Sequence, residues 1–226
     1  MAKSPAEERT EMYIWRVAYS TLEGRLMKAS ETAIVFIEFQ NDFCKEGGAL
    51  YDAVKEQIAS QGTIKNAADC IQKARGKCLT LIVPIVFEGD YRDAGCEGVL
   101  GPIHVNVSKA KAFRKGTWGG AIIDELKPTD KDIVVEGKRT LDAFNSSNID
   151  FLLRVNCIKN VAFAGFLTNA CVEGTARSAY DRGYKVFLLK DCTAAMSAGE
   201  QKYVEEKFFP LTGEVLTHDE FLNRLE

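Results

Sequence analysis

Short, continuous apolar runs alternate along the chain with stretches in which apolar residues recur every three or four positions. The runs occupy residues 32–38, 79–87, 132–136, 161–165, 185–189 and 214–216. Apolar runs of this length, without polar alternation, are typical of strands that are buried on both faces of a parallel sheet. Because helical stretches separate them, the pattern predicts a three-layer α/β/α domain with a mostly parallel, Rossmann-like sheet of six strands.

Helical spacing of apolar residues is found near residues 64–74, 144–153, 172–179, 199–208 and 217–225. Several of these stretches contain small polar residues that commonly cap helices. The predicted caps are Asn145 or Ser146, Thr168 or Asn169, and Thr217. Residues 4–7 (Ser-Pro-Ala-Glu) match a capping box and predict one more helix. We therefore expect a helical extension over residues 1–30 and one domain over residues 31–226.

The amino-acid composition disfavours several classes of function. The net charge is −3 without a block of Lys or Arg, so a nucleic-acid partner is not expected, and no apolar run is long enough to predict a membrane span. The 7 cysteines are scattered and include no Cys-x-x-Cys pair, which disfavours a disulfide framework or a zinc ribbon. With 2 histidines and no secretion-signal pattern, we expect a cytoplasmic protein without a metal or other cofactor.

Three predicted strand ends supply chemically useful side chains. Glu38 ends the first strand, Lys138 follows the third, and Cys171 lies near the first turn of the helix after the fourth. Parallel strands place these ends at one edge of the sheet, so the three groups can converge there. The positive end of the helix dipole would favour a Cys171 thiolate that alkylates rapidly. Glu38 as a surface charge at a strand end is an equally good interpretation.

The sequence identifies the residues that contact the substrate less clearly than the three reactive side chains. Residues 88–115 form the least periodic stretch, rich in glycine and charge, and its length favours a lid or a pocket wall. Phe43, in the polar turn after the first strand, and Trp118, just beyond this stretch, are the candidate contacts. Trp118 fits a core or interface position equally well.

Three motifs together resemble the isochorismatase-like cysteine hydrolases. They are residues 37–43 (Ile-Glu-Phe-Gln-Asn-Asp-Phe), residues 138–144 (Lys-Arg-Thr-Leu-Asp-Ala-Phe) and residues 165–173 (Gly-Phe-Leu-Thr-Asn-Ala-Cys-Val-Glu). The resemblance extends over residues 32–216. It implies that Glu38, Lys138 and Cys171 form a catalytic triad that cleaves a non-peptide C–N bond of a small amide, ureido compound or lactam through a thioester.

The resemblance implies further details. A cis peptide would join Phe166 to Leu167, and the backbone N–H groups of Leu167 and Cys171 would form the oxyanion hole. The protein would work without a cofactor, as a homo-oligomer, either a dimer or a tetramer.

Two departures from the usual family pattern are informative. Glu38 stands where most members have aspartate. This glutamate and the motifs around Lys138 and Cys171 resemble the streptothricin-hydrolase-like branch most closely. The histidines with which nicotinamidases bind a metal after the second strand are missing from residues 87–92 (Phe-Glu-Gly-Asp-Tyr-Arg), so neither that metal site nor nicotinamide as substrate is expected. The alternatives are an esterase with the same thioester chemistry, and a catalytically retired binding or scaffold protein.

Overall fold

The structure is a computed structural model that describes residues 24–95 and 101–226. Most of the predicted N-terminal extension therefore lies outside the described residues, and the division of the chain at residue 30 stays a prediction. Within the described part, Met27 pairs with Leu225 in an isolated bridge. A 3₁₀ turn, Ala29–Glu31, then leads into the first strand.

Six parallel strands form the central sheet, as predicted. They are β1 (Thr32–Ile37), β2 (Leu79–Val83), β3 (Asp132–Val134), β4 (Asn160–Phe166), β5 (Lys185–Ala194) and β6 (Gly213–Leu216). Their order is β3-β2-β1-β4-β5-β6, and every neighbouring pair is parallel. Because β1 and β4 lie side by side in the middle, the residues that follow them meet at the centre of one sheet edge.

Helices cover both faces of the sheet. They are α1 (Asn41–Cys44), α2 (Tyr51–Gln61), α3 (Thr63–Ala74), α4 (Pro102–Ala110), α5 (Ala143–Ser146), α6 (Ile149–Val155), α7 (Glu173–Asp181), α8 (Ala198–Tyr203) and α9 (His218–Leu222). Two π-turns, Thr168–Val172 and Val204–Phe208, precede α7 and follow α8. The remaining 3₁₀ turns are Asp124–Leu126 and Phe209–Leu211. No helix within residues 24–95 and 101–226 has both the length and the apolar character that a membrane crossing requires.

The sheet separates two apolar cores, and β1 contributes to both. Ile34 and Phe36 pack on the side of α3, whereas Val35 and Ile37 pack on the side of α6 and α7. Successive strand residues point to opposite faces, so a strand that is covered on both sides must be apolar throughout. This explains why β1 reads as an uninterrupted apolar run.

Two of the three predicted helix caps are wrong. Asp142 caps α5 by accepting a hydrogen bond from the Phe144 N–H at 2.8 Å, and neither Asn145 nor Ser146 does so. No side chain caps the turn that begins at Thr168. The Thr217 cap of α9 is confirmed, since Thr217 and Glu220 form a complete capping box.

Candidate active site

The structure brings Glu38, Lys138 and Cys171 together at the centre of the sheet edge. All three side chains are buried, with residue exposures of 2%, 0% and 4%. The interpretation of Glu38 as a surface charge is therefore wrong. Burying an acid, an amine and a thiol together costs free energy. Clusters of this kind are typical of active sites.

Glu38 leaves β1 in an unusual backbone conformation. Its φ is +57°, in the left-handed region that non-glycine residues adopt at a cost of about 1–3 kcal/mol. Two backbone hydrogen bonds hold this bend: the Glu38 N–H donates to the Val83 carbonyl at 2.9 Å, and the Gln40 N–H donates to the Glu38 carbonyl at 2.8 Å. The bend ends the strand and places the Glu38 carboxylate in the site.

Lys138 reaches the site from the loop after β3. Its ammonium donates to the Glu38 carboxylate and, at 2.7 Å, to the carbonyl oxygen of Thr140. Ser146 stabilises this loop, because its hydroxyl oxygen accepts hydrogen bonds from the N–H groups of Arg139 at 2.9 Å and Thr140 at 3.2 Å. The residue proposed as a helix cap thus positions the lysine loop instead.

Cys171 lies in the π-turn between β4 and α7. The peptide bond that enters this turn, between Phe166 and Leu167, is cis. A buried network stabilises the turn: the Thr168 hydroxyl donates to the Gln201 side-chain oxygen at 2.7 Å, and the same oxygen accepts the Ala195 N–H at 3.0 Å. Gln201 was not predicted as a site residue, and nothing in its local sequence marks it.

The charges around Cys171 differ from the sequence-based expectation. Burial raises the pKa of the Cys171 thiol, and the negative charge of Glu38 raises it further, while Lys138 acts in the opposite direction. These effects oppose the thiolate that the helix N-terminus was expected to favour. The Glu38 carboxylate is close enough to the sulfur to accept its proton.

Lys138 remains charged despite its burial. Burial acts to lower the pKa of Lys138, but its interactions with Cys171 and Glu38, including the hydrogen bond to the Glu38 carboxylate, outweigh this effect and raise it. The lysine thus contributes a permanent positive charge next to the thiol and the carboxylate. A nearby positive charge stabilises any negative charge that develops on either group.

A cavity of about 180 Å³ opens onto Glu38 and Cys171. Phe43 lines it, as predicted, and is held between the rings of Phe113 and Phe166 at centroid distances of 5.1 and 5.5 Å. The 88–115 stretch supplies part of the wall through α4. Trp118 lies elsewhere: its residue exposure is 56%, and it is not among the described residues that line the cavity.

The polar turn after Glu38 connects the site to this wall. Gln40 donates to the carbonyl oxygens of Ile85 at 2.9 Å and Gly120 at 2.8 Å. Asp42 accepts the Phe113 N–H at 2.6 Å. These buried polar side chains, which could have been taken for catalytic groups, are fully occupied in holding the loop that forms the cavity.

Within residues 24–95 and 101–226, no group of three or more metal-ligating side chains lies at the cavity. Among the described residues, the groups of His, Cys and acidic side chains whose ligand atoms lie close together all include His218. His218 does not line the cavity. Its imidazole is already engaged by the carboxylates of Asp191 at 2.6 Å and Asp69 at 2.8 Å.

Comparison with known proteins agrees with this geometry. The family model for the isochorismatase domain matches residues 32–220, and the chain belongs to this family. The ureidoacrylate amidohydrolase RutB of Rhizobium rhizogenes is 34% identical over 214 residues, covering 86% of this chain and 83% of that protein. The corresponding protein of Agrobacterium fabrum is also 34% identical, covering 86% and 90%.

Solved structures show the same fold. A cysteine hydrolase from Pseudomonas syringae pv. phaseolicola superposes with a TM-score of 0.77 at 26% identity, covering 89% of this chain and 97% of its own. An N-carbamoylsarcosine amidase from Thermoplasma acidophilum superposes with a TM-score of 0.65 at 25% identity, covering 85% and 98%. The predicted family and fold are therefore confirmed, whereas the preference for the streptothricin-hydrolase-like branch stays a prediction.

Proposed function

We propose that this protein is a cysteine hydrolase that cleaves a non-peptide C–N bond of a small amide or ureido compound through a thioester. The observation that carries the proposal is the burial of Cys171 against Glu38 and Lys138 at the floor of a cavity. The relatives named as amidohydrolases support the same reaction class.

In the first half-reaction, the Cys171 sulfur attacks the substrate carbonyl carbon while Glu38 accepts the thiol proton. The carbonyl oxygen becomes an oxyanion, and we assign its stabilisation to the backbone N–H groups of Leu167 and Cys171. Collapse of this intermediate breaks the C–N bond. Glu38 returns the proton to the departing nitrogen, which leaves as ammonia or an amine, and a thioester remains on Cys171.

In the second half-reaction, Glu38 removes a proton from water as the water oxygen attacks the thioester carbon. The C–S bond then breaks, the acid product leaves, and the proton on Glu38 returns to sulfur. Lys138 keeps its charge throughout and stabilises the anion that forms in each step. Because burial and the charge of Glu38 raise the pKa of Cys171, the sulfur needs Glu38 to accept its proton in order to attack.

The test measures release of ammonia or amine from a panel of small amides, ureido compounds and lactams, and release of acid from matching esters. Cys171→Ala should abolish turnover, whereas a variant that retains the wild-type rate would disprove the nucleophile. Glu38→Asp moves the carboxylate by about 1 Å, which is enough to cost roughly 100-fold in rate if the site is built around glutamate. A faster Glu38→Asp enzyme would mean that glutamate is a partial defect.

The panel also separates the alternatives. An esterase would turn over only the esters, and a retired scaffold protein would turn over none of the compounds. No structural observation favours either one. Lactams stay on the panel because the motifs favour the streptothricin-hydrolase-like branch.

Cytoplasmic residence and a homo-oligomer, dimer or tetramer, also belong to the proposal. Phe151 and Val155 lie one turn apart on α6 with exposures of 65% and 56%, and association between copies through this surface would remove them from water. Sedimentation of wild type beside Phe151→Ser tests this arrangement. An unchanged sedimentation coefficient would exclude this surface as the interface.

A further inference from the structure

Apolar side chains form nearly the whole wall of the active-site cavity. Three phenylalanines and several aliphatic residues surround the approach to Cys171, among them Phe43, Phe87, Phe113, Ile85, Val107 and Leu141. Apart from Glu38 and Cys171, the described residues of the lining offer two polar side chains, those of His104 and Asn106. The wall therefore suits a substrate whose body is apolar.

The charge of the lining is equally informative. Glu38 is the one carboxylate among the described lining residues, and none of them is Lys or Arg. The Lys138 ammonium is occupied by Glu38 and by the Thr140 carbonyl. A carboxylate on the substrate would lose its water without gaining a cationic partner, and it would lie near the negative charge of Glu38. Burial of an unpaired charge is strongly unfavourable.

Arg139 is close to the cavity but is not free to supply this charge. Its Nε donates to the Asp93 carboxylate at 2.5 Å, and its Nη1 donates to the Lys138 carbonyl at 3.0 Å. Asp93 also accepts the Glu88 N–H at 3.0 Å. Arg139 is therefore paired with Asp93 and held outside the described lining of the cavity.

His104 lines the cavity, and its neutral ring contains one hydrogen-bond acceptor. Its Nε2 lies 3.0 Å from the Arg139 carbonyl oxygen, which can only accept, so Nε2 carries the proton. In the neutral ring Nδ1 is then an acceptor. An acceptor suits an amide or ureido N–H and repels a carboxylate.

The size of the cavity limits the apolar group. A cavity of about 150 Å³ lined by Leu, Ile and Phe is large enough to bind benzene. The volume of about 180 Å³ here leaves room for a group of that size next to a carboxamide. Phenylalanine rings on the wall also suit edge-to-face contact with an aromatic substrate.

From these observations we infer that the substrate is an uncharged amide or ureide that carries a ring-sized apolar group and no carboxylate. The inference rests on the proposed function and narrows it. It also separates this protein from its relatives named for ureidoacrylate, which is a carboxylate anion.

Matched pairs of compounds test the inference. In each pair, an isopropyl group of similar shape replaces a carboxylate: 4-methylpentanamide against succinamate, 4-isopropylbenzamide against 4-carbamoylbenzoate, and N-(3-methyl-1-butenyl)urea against ureidoacrylate. Ammonia release gives kcat/KM for every compound, with Cys171→Ala as the blank. We expect the neutral member to be preferred by roughly 100-fold or more in at least one pair, as for a charge buried without a partner.

A charge introduced into the wall should change this preference. Ile103 lies on α4 at the cavity and is 39% exposed, so an arginine there can fold with its charge near solvent. Ile103→Arg should reduce the preference for neutral compounds at least tenfold. Ala110→Arg adds the same charge to the exposed end of α4, outside the described lining, and should leave the preference unchanged.

The outcomes distinguish this inference from the proposed function. Cys171-dependent turnover that favours the anionic members would overturn the inference and leave the hydrolase intact. If no compound is turned over, the proposed function fails for this panel, and calorimetric binding to Cys171→Ala decides the inference. Tighter binding of the neutral members supports it, whereas equal or tighter binding of the anions, or no binding by any compound, overturns it.

Discussion

The Lys138 ammonium donates a hydrogen bond to the Glu38 carboxylate inside the protein, where both side chains are almost completely removed from water. Removal of one member leaves the other as an uncompensated buried charge, which typically costs about 3–5 kcal/mol. We therefore expect Lys138→Met to lower the free energy of unfolding by about that amount. Urea unfolding monitored by circular dichroism measures the change.

The double variant Glu38→Gln/Lys138→Met is the control for this prediction. It removes both charges, so most of the lost stability should return while activity stays absent. If the changes in free energy of unfolding of the two single variants simply add up to that of the double variant, the two side chains are not coupled. The assignment of Lys138 as the partner of Glu38 is then contradicted.

The raised pKa of Cys171 has a direct chemical consequence. Since the thiolate is the reactive form, alkylation of Cys171 by N-ethylmaleimide should be slow at pH 7 and accelerate about tenfold per pH unit up to pH 9. Quantitative mass spectrometry of the Cys171 peptide measures this rate, with the exposed Cys157 as an internal comparison in the same digest. A rate that is already at its plateau at pH 7 would show a resting thiolate.

The sheet and the position of the three site residues can be predicted from the sequence, because the ends of the apolar runs mark the ends of the strands. The runs predicted all six strands, and a parallel sheet then brings Glu38, Lys138 and Cys171 to one edge. Helices α1, α2 and α4 were not predicted. The pattern around α4 is weak because one side of this helix faces the cavity and the other faces solvent, so its apolar residues do not form a continuous stripe.

The supporting contacts depend on the tertiary structure. Gln201 reaches Thr168 across 33 positions of sequence, and the left-handed bend of Glu38 is held by a hydrogen bond from its own N–H to the carbonyl of Val83 on the next strand. Neither contact has a local signature. The same applies to Trp118, because sequence does not show which way an aromatic side chain in an irregular loop will point.

Gly165 allows the two central strands to approach each other at the site. Its φ is +123°, and a Cβ atom there would lie 1.9 Å from the carbonyl oxygen of Ile37, the residue before Glu38. Gly165→Ala should therefore destabilise the fold by more than about 1 kcal/mol and reduce activity. Gly199→Ala is the matched control, since it lies in α8 with nothing near its Cβ, and it should fold normally. Equal melting temperatures for the two variants would contradict the close approach.

His218 predicts a second pH effect, on stability rather than on catalysis. Burial acts to lower the pKa of His218, but hydrogen bonds to Asp191 and Asp69 outweigh it and raise the pKa. Lys73 pairs with Asp69 at 2.5 Å and with Asp219 at 2.8 Å, so the cluster contains charges of both signs.

The raised pKa gives the sign of the effect. The stabilisation that protonated His218 provides is fully present below its unfolded-state pKa of about 6.5. It is lost as the pH rises through the folded-state pKa of His218. The difference in free energy of unfolding between wild type and His218→Gln should thus be larger at pH 6 than at pH 9. A difference that grows with pH would contradict the assignment.

The most direct test of the account is to observe the covalent intermediate. Wild-type protein mixed with its best amide substrate is quenched in acid during turnover, and the mass of the intact chain and of the Cys171 peptide is measured. We predict an added mass equal to the acyl group on Cys171, absent from the Cys171→Ala variant. Full turnover without this adduct, combined with undiminished activity of Cys171→Ala, would contradict the central claim that Cys171 is the nucleophile.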